Sequence, residues 1–402
     1  MTRMTLVTDP LPNSLSVQYK FTYALVRLLS ARYELSVASP YVGAEQARAI
    51  ERIGGSVLPT RGMPFSVPFF SSVRRNPMPS ESMVWLESWA REALVGANSR
   101  TIGGQTASSE LTLNISSTVA APADLWWYQG PPLDVVIAGM QGTNVVAQTL
   151  GPFALPVIAR LDTRLLRRMR SVSSRVVANS PWIQGILADR GIATDGCVPS
   201  FPDLSPFSPT PGGNGSPYVL MYLGKETDKL DWQRLHDGKV NIVTFGAKRA
   251  VGDRLFQRCS RFVEHRGRVS DAELVELYSN ALVTLVPFTQ EGLGWVPIES
   301  MACGTPVLTY DRQGPGYTVL DGKTGWLCRT PEEMVSKTID LWTQGTSGDL
   351  RRQCLQRARQ LSLEGQIDNL CRFLDGRHAP ENRVGSIPSE SSERIAIRPL
   401  SP

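Results

Sequence analysis

Apolar and polar positions in the first sixty residues switch between two periods. MTLVTDP is a short apolar run closed by a turn, and SVQYKFTYALVRLLSARY repeats apolar residues at helical spacing. ELSVASPY then reads as strand, GAEQARAIERIG as helix and SVLPT as a further short strand. Alternating strand and helix predict a parallel α/β sheet. Residues 62–118 break the rhythm with prolines, an aromatic-rich helix around 83–93 and a polar Ser/Thr/Asn stretch. Regularity returns with DLWWYQG, LDVVIAGM and RVVANS, the last followed by a helix from near Pro181.

FPDLSPFSPTPGGNGSP, residues 201–217, is dense in Pro, Gly and Ser and reads as an interdomain linker. A second alternation follows, with YVLMYLG, VNIVTFG, FVEHRG, ALVTLVPF and TPVLTY as strands. Ser270 with Glu273 makes a capping-box pattern, and Thr330 with Glu333 makes another with Pro331 at the first helical position. The expected division is an N-terminal domain over 1–205, a linker over 206–217 and a second domain over 218–378. The polar, aperiodic residues 379–402 are expected to be a disordered tail.

Composition narrows the class without naming it. A chain of 402 residues exceeds one typical core, and 42% hydrophobic with 20% charged residues is ordinary for a soluble globular protein. The six cysteines all lie beyond residue 196 and none forms a C-x-x-C, which argues against zinc and for reduced thiols in a cytoplasm-like compartment. The N-terminus reads as strand and turn rather than signal peptide, and no window of eighteen uninterrupted apolar residues occurs.

The chemistry concentrates in EGLGWVPIESMACGTP, residues 291–306. ALVTLVPF ends where it begins and TPVLTY follows it, so its helix connects two parallel strands. Gly292 and Gly294 therefore fall at the carboxyl end of a strand, where open α/β sheets bind ligands. Free amides and the positive helix end favour phosphate there. Glu291 and Glu299 would repel a phosphate, so they are better suited to accept hydrogen bonds from hydroxyls beside it. Hydroxyls flanking a diphosphate describe a nucleotide sugar.

These residues resemble the E-x7-E signature of the group 1 (family 4) retaining glycosyltransferases, and the segments before and after are similar too. FVEHRGRVSDAELVELYSNALVTLVPF and DGKTGWL complete an ordered set through most of the second domain, whereas the N-terminal half matches in outline. The resemblance implies a GT-B fold, two Rossmann-like doubly wound domains facing a central cleft. It implies that the last helix of the chain packs back on the N-terminal domain. It places Glu291 at the donor sugar, Glu299 at the ribose, and Gly292, Leu293 and Gly294 at sugar and phosphate through their backbones. In MYLGKETDKL it puts Lys225 in place of a diphosphate-binding Arg, and Lys229 as a second cation, one residue closer than usual. The implied substrate is a UDP-, GDP- or ADP-sugar, with no further cofactor.

The N-terminal half departs from the family. His236, His265 and His378 are the only histidines, so the His that many relatives carry near the donor's anomeric carbon is missing. Gln129, after the strand in DLWWYQGPP, is the candidate in its place, or simply a strand-end amide satisfied by backbone. The glycine-rich loop of relatives is replaced by PLPNSLS, where Asn13, Ser14 and Ser16 would contact phosphate or acceptor, or else cap the following helix. The front-face transfer that the resemblance implies would survive these losses, because in it the leaving phosphate itself accepts the acceptor's proton. No D-x-D occurs, which favours a diphosphate held by cations and amides over a metal-bound one.

Arg164, Arg167, Arg168 and Arg170 lie in an arginine-rich helix that either rests on anionic lipid, near a lipid-linked or glycan acceptor, or is simply solvated. No aromatic-interleaved basic platform accompanies it, so nucleic acid is not an expected partner. Two other functions stay open: a degenerate protein that binds nucleotide or a partner without transfer, and a nucleotide-sugar epimerase on the same fold.

Overall fold

A computed structural model describes residues 1–14, 16–58, 81–106, 109–135, 145–210, 217–223, 227–246, 259–288 and 291–376. Lys225 and the tail from 379 lie outside them, as do residues 211–216 of the linker. The N-terminal domain contains strands β1 (Thr2–Val7), β2 (Tyr33–Ala38), β3 (Gly55–Val57), β4 (Leu111–Asn114), β5 (Ala123–Tyr128), β6 (Ser173–Ala178) and β7 (Gly196–Cys197). Its helices are α1 (Val17–Leu29), α2 (Ala44–Arg52), α3 (Glu81–Val95), α4 (Ala97–Thr106), α5 (Val145–Ser171) and α6 (Pro181–Asp189). The sheet is parallel in the order β3-β2-β1-β4-β5-β6-β7.

The C-terminal domain contains β8 (Val219–Tyr222), β9 (Ile242–Phe245), β10 (Glu264–His265), β11 (Val283–Val286), β12 (Val307–Tyr310) and β13 (Gly325–Cys328). Its parallel order is β10-β9-β8-β11-β12-β13. Helices α7 (Trp232–Asp237), α8 (Asp271–Asn280), α9 (Trp295–Ala302), α10 (Pro315–Thr318), α11 (Pro331–Gln344), α12 (Gly348–Gln360) and α13 (Leu363–Leu374) complete it. Both sheets are doubly wound, so each places the carboxyl ends of its strands along one edge.

Two segments differ from the sequence expectation. The polar stretch before residue 118 contains β4, a central strand beside β1. Its polar groups are buried but paired: Asn114 donates to the Val119 carbonyl at 2.9 Å and accepts from the Ser116 amide at 2.8 Å. Hydrophobic alternation misses such a strand because hydrogen bonds, not apolar area, make its burial tolerable. LDVVIAGM is not a strand at its start, since residues 133–135 are helical.

Caps follow their local chemistry. Ser270 and Glu273 form a full capping box at α8. At α11 only half forms: Thr330 accepts from the Glu333 amide, while the Glu333 carboxylate takes the Arg329 amide instead. Helix α13 crosses back to the first domain, where Leu363, Ile367, Leu370 and Phe373 share a core with Leu25, Leu35 and Trp127. Burying such residues is worth about 1.5–3 kcal/mol each, which fastens the two domains at this end.

Candidate functional site

The glycine-rich turn lies between β11 and α9, at the carboxyl edge of the second sheet. Leu293 is its anchor, buried with Ile298, Met301 and Val307. Gly294 takes φ +78° as it enters α9, a conformation that costs side-chain-bearing residues. Gly314 is required for a different reason: a Cβ there would stand 2.2 Å from the Gly292 carbonyl oxygen. The turn therefore packs backbone on backbone against the loop after β12.

One buried side chain fixes the start of this turn. Gln313 accepts from the Glu291 amide at 2.7 Å and donates to the Phe288 carbonyl, while the Gly314 amide donates to the Glu291 carbonyl at 3.1 Å. Gln313 holds this pose at φ +88°, outside the regions most side chains occupy. The half-buried Glu291 is thus gripped by its own backbone from both sides.

Glu299 projects from α9, half-buried, and its Oε2 accepts from the Tyr278 hydroxyl of α8 at 3.1 Å. Burial pushes its carboxyl up to about 7, against the Tyr278 hydrogen bond and the Lys20 charge, which favour the ionised form, while Asp271 adds to the rise. Lys20 comes from α1 of the other domain and pairs with Asp271 at 2.7 Å. This carboxylate consequently faces both domains.

The opposite wall belongs to the first domain. A Cβ on Gly292 would stand 3.3 Å from the Gln129 carbonyl oxygen and 3.4 Å from Asn179 Nδ2. The Gln129 side chain donates to the Trp127 carbonyl at 2.9 Å, so its amide N–H is engaged with its own strand. Trp295 also bridges the domains, donating to the Ser200 carbonyl at 2.9 Å and meeting Phe21 edge-on at 5.8 Å. Ser16 is buried and caps α1 by accepting from the Tyr19 amide at 3.3 Å. Asn13 is half-buried and Ser14 exposed in the same turn. Lys229 ends a one-turn 3-10 helix, Thr227–Lys229, and is exposed.

The structure thus brings Glu291, Gly292, Leu293, Gly294 and Glu299 together beside the domain interface and sets the Gln129 backbone across from Gly292. Four further residues belong there: Lys20, Asn179, Tyr278 and Gln313. Only Gln313 left a trace in sequence, in the polar DRQGPG turn after TPVLTY. Tyr278 reads as a core residue of an amphipathic helix, and nothing local distinguishes Lys20 or Asn179.

Two Rossmann-like parallel-sheet domains meeting at the carboxyl ends of their strands define the GT-B fold. The likeness extends over nearly the whole chain. A sucrose-phosphate synthase from Thermosynechococcus elongatus superposes with a TM-score of 0.65 at 15% identity, over 94% of this chain and 100% of that one. Anabaena HepE, solved in complex with UDP-glucose, superposes with a TM-score of 0.61 at 14% identity, over 93% and 99%.

The match to a family model lies in the second domain. Residues 259–361 match the family model described as glycosyl transferases group 1. A D-inositol 3-phosphate glycosyltransferase of Rhodococcus erythropolis is 34% identical over 127 residues, 31% of this chain and 28% of that protein. The chain's matches thus span about a quarter of the length of such relatives: a second one, from Acidothermus cellulolyticus, is 32% identical over 99 residues, 24% of this chain and 22% of its own length. This chain has the GT-B fold, and its residues 259–361 match the group 1 glycosyl transferases.

Proposed function

We propose that the protein transfers a sugar from a nucleotide-sugar donor to an acceptor hydroxyl, with retention of anomeric configuration and without a metal. The observation that carries this reading is a glycine-rich helix entry flanked by Glu291 and Glu299, with Gly292 against Gln129 and Asn179 of the other domain and the Lys20 charge acting on Glu299. Glu299 accepts the ribose hydroxyls, and the amides entering α9, with Lys225 and Lys229, hold the diphosphate. Glu291 faces the sugar. In the transfer the acceptor oxygen bonds to the anomeric carbon on the face from which the diphosphate oxygen departs. The acceptor's proton passes to that leaving phosphate, so no side chain has to shuttle it. The protein's contribution is alignment of the two substrates and stabilisation of charge on the diphosphate.

Several relatives are named as transferases or synthases, which does not favour a binding-only protein or an epimerase. UDP-glucose is the first donor to try because the HepE neighbour was solved with it. Purified protein incubated with UDP-, GDP- and ADP-sugars should release or transfer sugar from at least one, with the donor's anomeric configuration kept in the NMR spectrum of the product. Glu291→Ala should lower that turnover at least about 100-fold, within the range lost when one charge-stabilising group is removed from an active site. Unchanged turnover in Glu291→Ala, or an inverted product, would refute the assignment.

A peripheral membrane contact is the second part of the proposal, and the acceptor would then be lipid-linked. Among the described residues no helix is long and apolar enough to cross a membrane. The arginines of α5 divide into two sets. Arg167 donates to the Arg190 carbonyl, Arg170 to those of Ala193 and Ser173, and Arg168 pairs with Glu92 and Ser99. Arg160 and Arg164 stay exposed on one stripe with Phe153, 81% exposed, and Val157, 55% exposed. Apolar residues one turn from outward arginines suit an anionic lipid surface. Phe153→Ser with Arg164→Ala should lower co-sedimentation with phosphatidylglycerol vesicles severalfold and leave donor binding unchanged. Equal sedimentation of both proteins would remove this part alone. Six free cysteines, five of them buried, fit a reducing, cytoplasm-like compartment.

A further inference from the structure

Asn179 follows β6 and immediately precedes Ser180, the residue that caps α6. Its backbone amide donates to the Tyr128 carbonyl at 3.1 Å, so its position is fixed by the sheet. The side chain is fully enclosed, 2% exposed, and its orientation is decided by its partners. Nδ2 donates to the Gln129 carbonyl oxygen, which can only accept, and lies 3.3 Å from Ser200 Oγ. Turning the amide over would set two carbonyl oxygens against each other. Asn179 Oδ1 is therefore the free end of the amide, and among the described residues it has no hydrogen-bond partner.

The whole amide faces the glycine-rich turn: a Cβ on Gly292 would stand 3.4 Å from Nδ2 and 3.8 Å from Oδ1. Because Gly292 has no side chain, the facing wall there is bare backbone of the other domain. The contact is non-covalent and lies between two domains, so it widens whenever they separate. What enters must bring a hydrogen-bond donor, since Oδ1 can only accept. A phosphate oxygen does not qualify, whereas a sugar hydroxyl does. The next residue along the turn is Glu291, a second acceptor on the opposite domain.

We propose that Asn179 is a binding residue for the donor's glycosyl group, its Oδ1 accepting a hydrogen bond from one sugar hydroxyl inserted beside Gly292. This rests on the donor-site reading above and adds a specificity contact from the N-terminal domain. A buried acceptor left unpaired discriminates strongly against a ligand that lacks the matching donor.

The test uses whichever nucleotide sugar binds best among UDP-, GDP- and ADP-sugars, its free nucleoside diphosphate, and the deoxyfluoro analogues of its sugar. Titration calorimetry on the full chain should show Asn179→Ala weakening the nucleotide sugar about tenfold while the nucleoside diphosphate changes less than twofold. One deoxyfluoro analogue should bind the natural protein about tenfold more weakly, and Asn179→Ala without further loss. Equal weakening of sugar nucleotide and free nucleotide, or no weakening of either, overturns the proposal and leaves Oδ1 a group satisfied by water only. If Asn179→Ala does not fold, the analogue series on the natural protein together with Gly292→Ala decides. Filling the gap should then cost the sugar nucleotide more than the nucleotide, and equal losses overturn the inference. Binding of no nucleotide by the natural protein removes the donor reading itself. Binding that responds to Glu299→Gln and not to Asn179→Ala removes only this inference.

Discussion

Glu299→Gln should weaken nucleotide-sugar binding about tenfold at pH 8, and Glu299→Ala about a hundredfold, because one or two charge-assisted hydrogen bonds to hydroxyls are lost. The natural protein should show its own pH dependence. Its carboxyl is pushed up to about 7 by burial, so the accepting, ionised form dominates only above that pH. Affinity should therefore fall below about pH 7 and level off about tenfold lower, at the affinity of the Gln variant, which should be flat across the same window. The charges facing this carboxyl decide where the window lies. Removing Lys20, whose charge favours ionisation, should move the midpoint upward, whereas removing Asp271 should move it down. Calorimetric titration of the donor from pH 5.5 to 8.5 checks all of this, and an identical profile in Glu299→Gln would show that another group titrates.

The same shift has a stability consequence of opposite benefit. The folded carboxyl titrates above its ordinary value of 4.5, so the folded state holds its proton where the unfolded chain has lost it. Stability is thus lost as pH rises from about 4.5 to about 7, and the loss is complete above that. One pKa unit corresponds to about 1.4 kcal/mol, and the partial exposure of Glu299 reduces the total to about 1–2 kcal/mol. Glu299→Gln should be more stable than the natural protein at pH 8 and equal to it near pH 4. A site that gains stability on losing its binding group is a common trade.

Gln313→Ala should lower turnover about a hundredfold at saturating donor, with nucleoside diphosphate affinity within threefold. Its side chain holds the Phe288 carbonyl and the Glu291 amide together, so its loss frees the start of the turn. A displacement of about 1 Å at a reacting group is enough for a loss of that size. Gln313→Gly separates the two roles of the residue. It relieves the φ of +88° without restoring either hydrogen bond, so it should recover stability and not activity. Gln313→Glu gives the sharpest result. Its carboxylate can accept from Glu291 but cannot donate to Phe288, so turnover should rise as the carboxyl gains a proton at lower pH. A Gln313→Glu profile parallel to the natural one would mean that the bond to Phe288 is immaterial.

What was legible in the sequence follows from range. The two α/β alternations are written in periods of two and of about 3.6 residues, and β4 escaped because its buried groups are polar and paired. The glycine-rich turn was legible because its parts, Glu291 to Glu299, are contiguous and sit at one strand end. Its surroundings were not. Tyr278 reaches Glu299 across 21 residues, and Lys20 reaches Asp271 across 251. Asn179 meets Gly292 only because the domains dock, and no period or spacing encodes a docking angle. The sequence by itself determined the sheets, the helix caps and the anion-attracting turn, since each depends on neighbours along the chain. The tertiary structure alone decided that Glu299 is buried enough to titrate near neutrality, that Gln313 clamps the turn, and that Asn179 faces it with an unsatisfied acceptor. Those properties come from desolvation and from hydrogen bonds between distant segments, which exist only once the segments have packed.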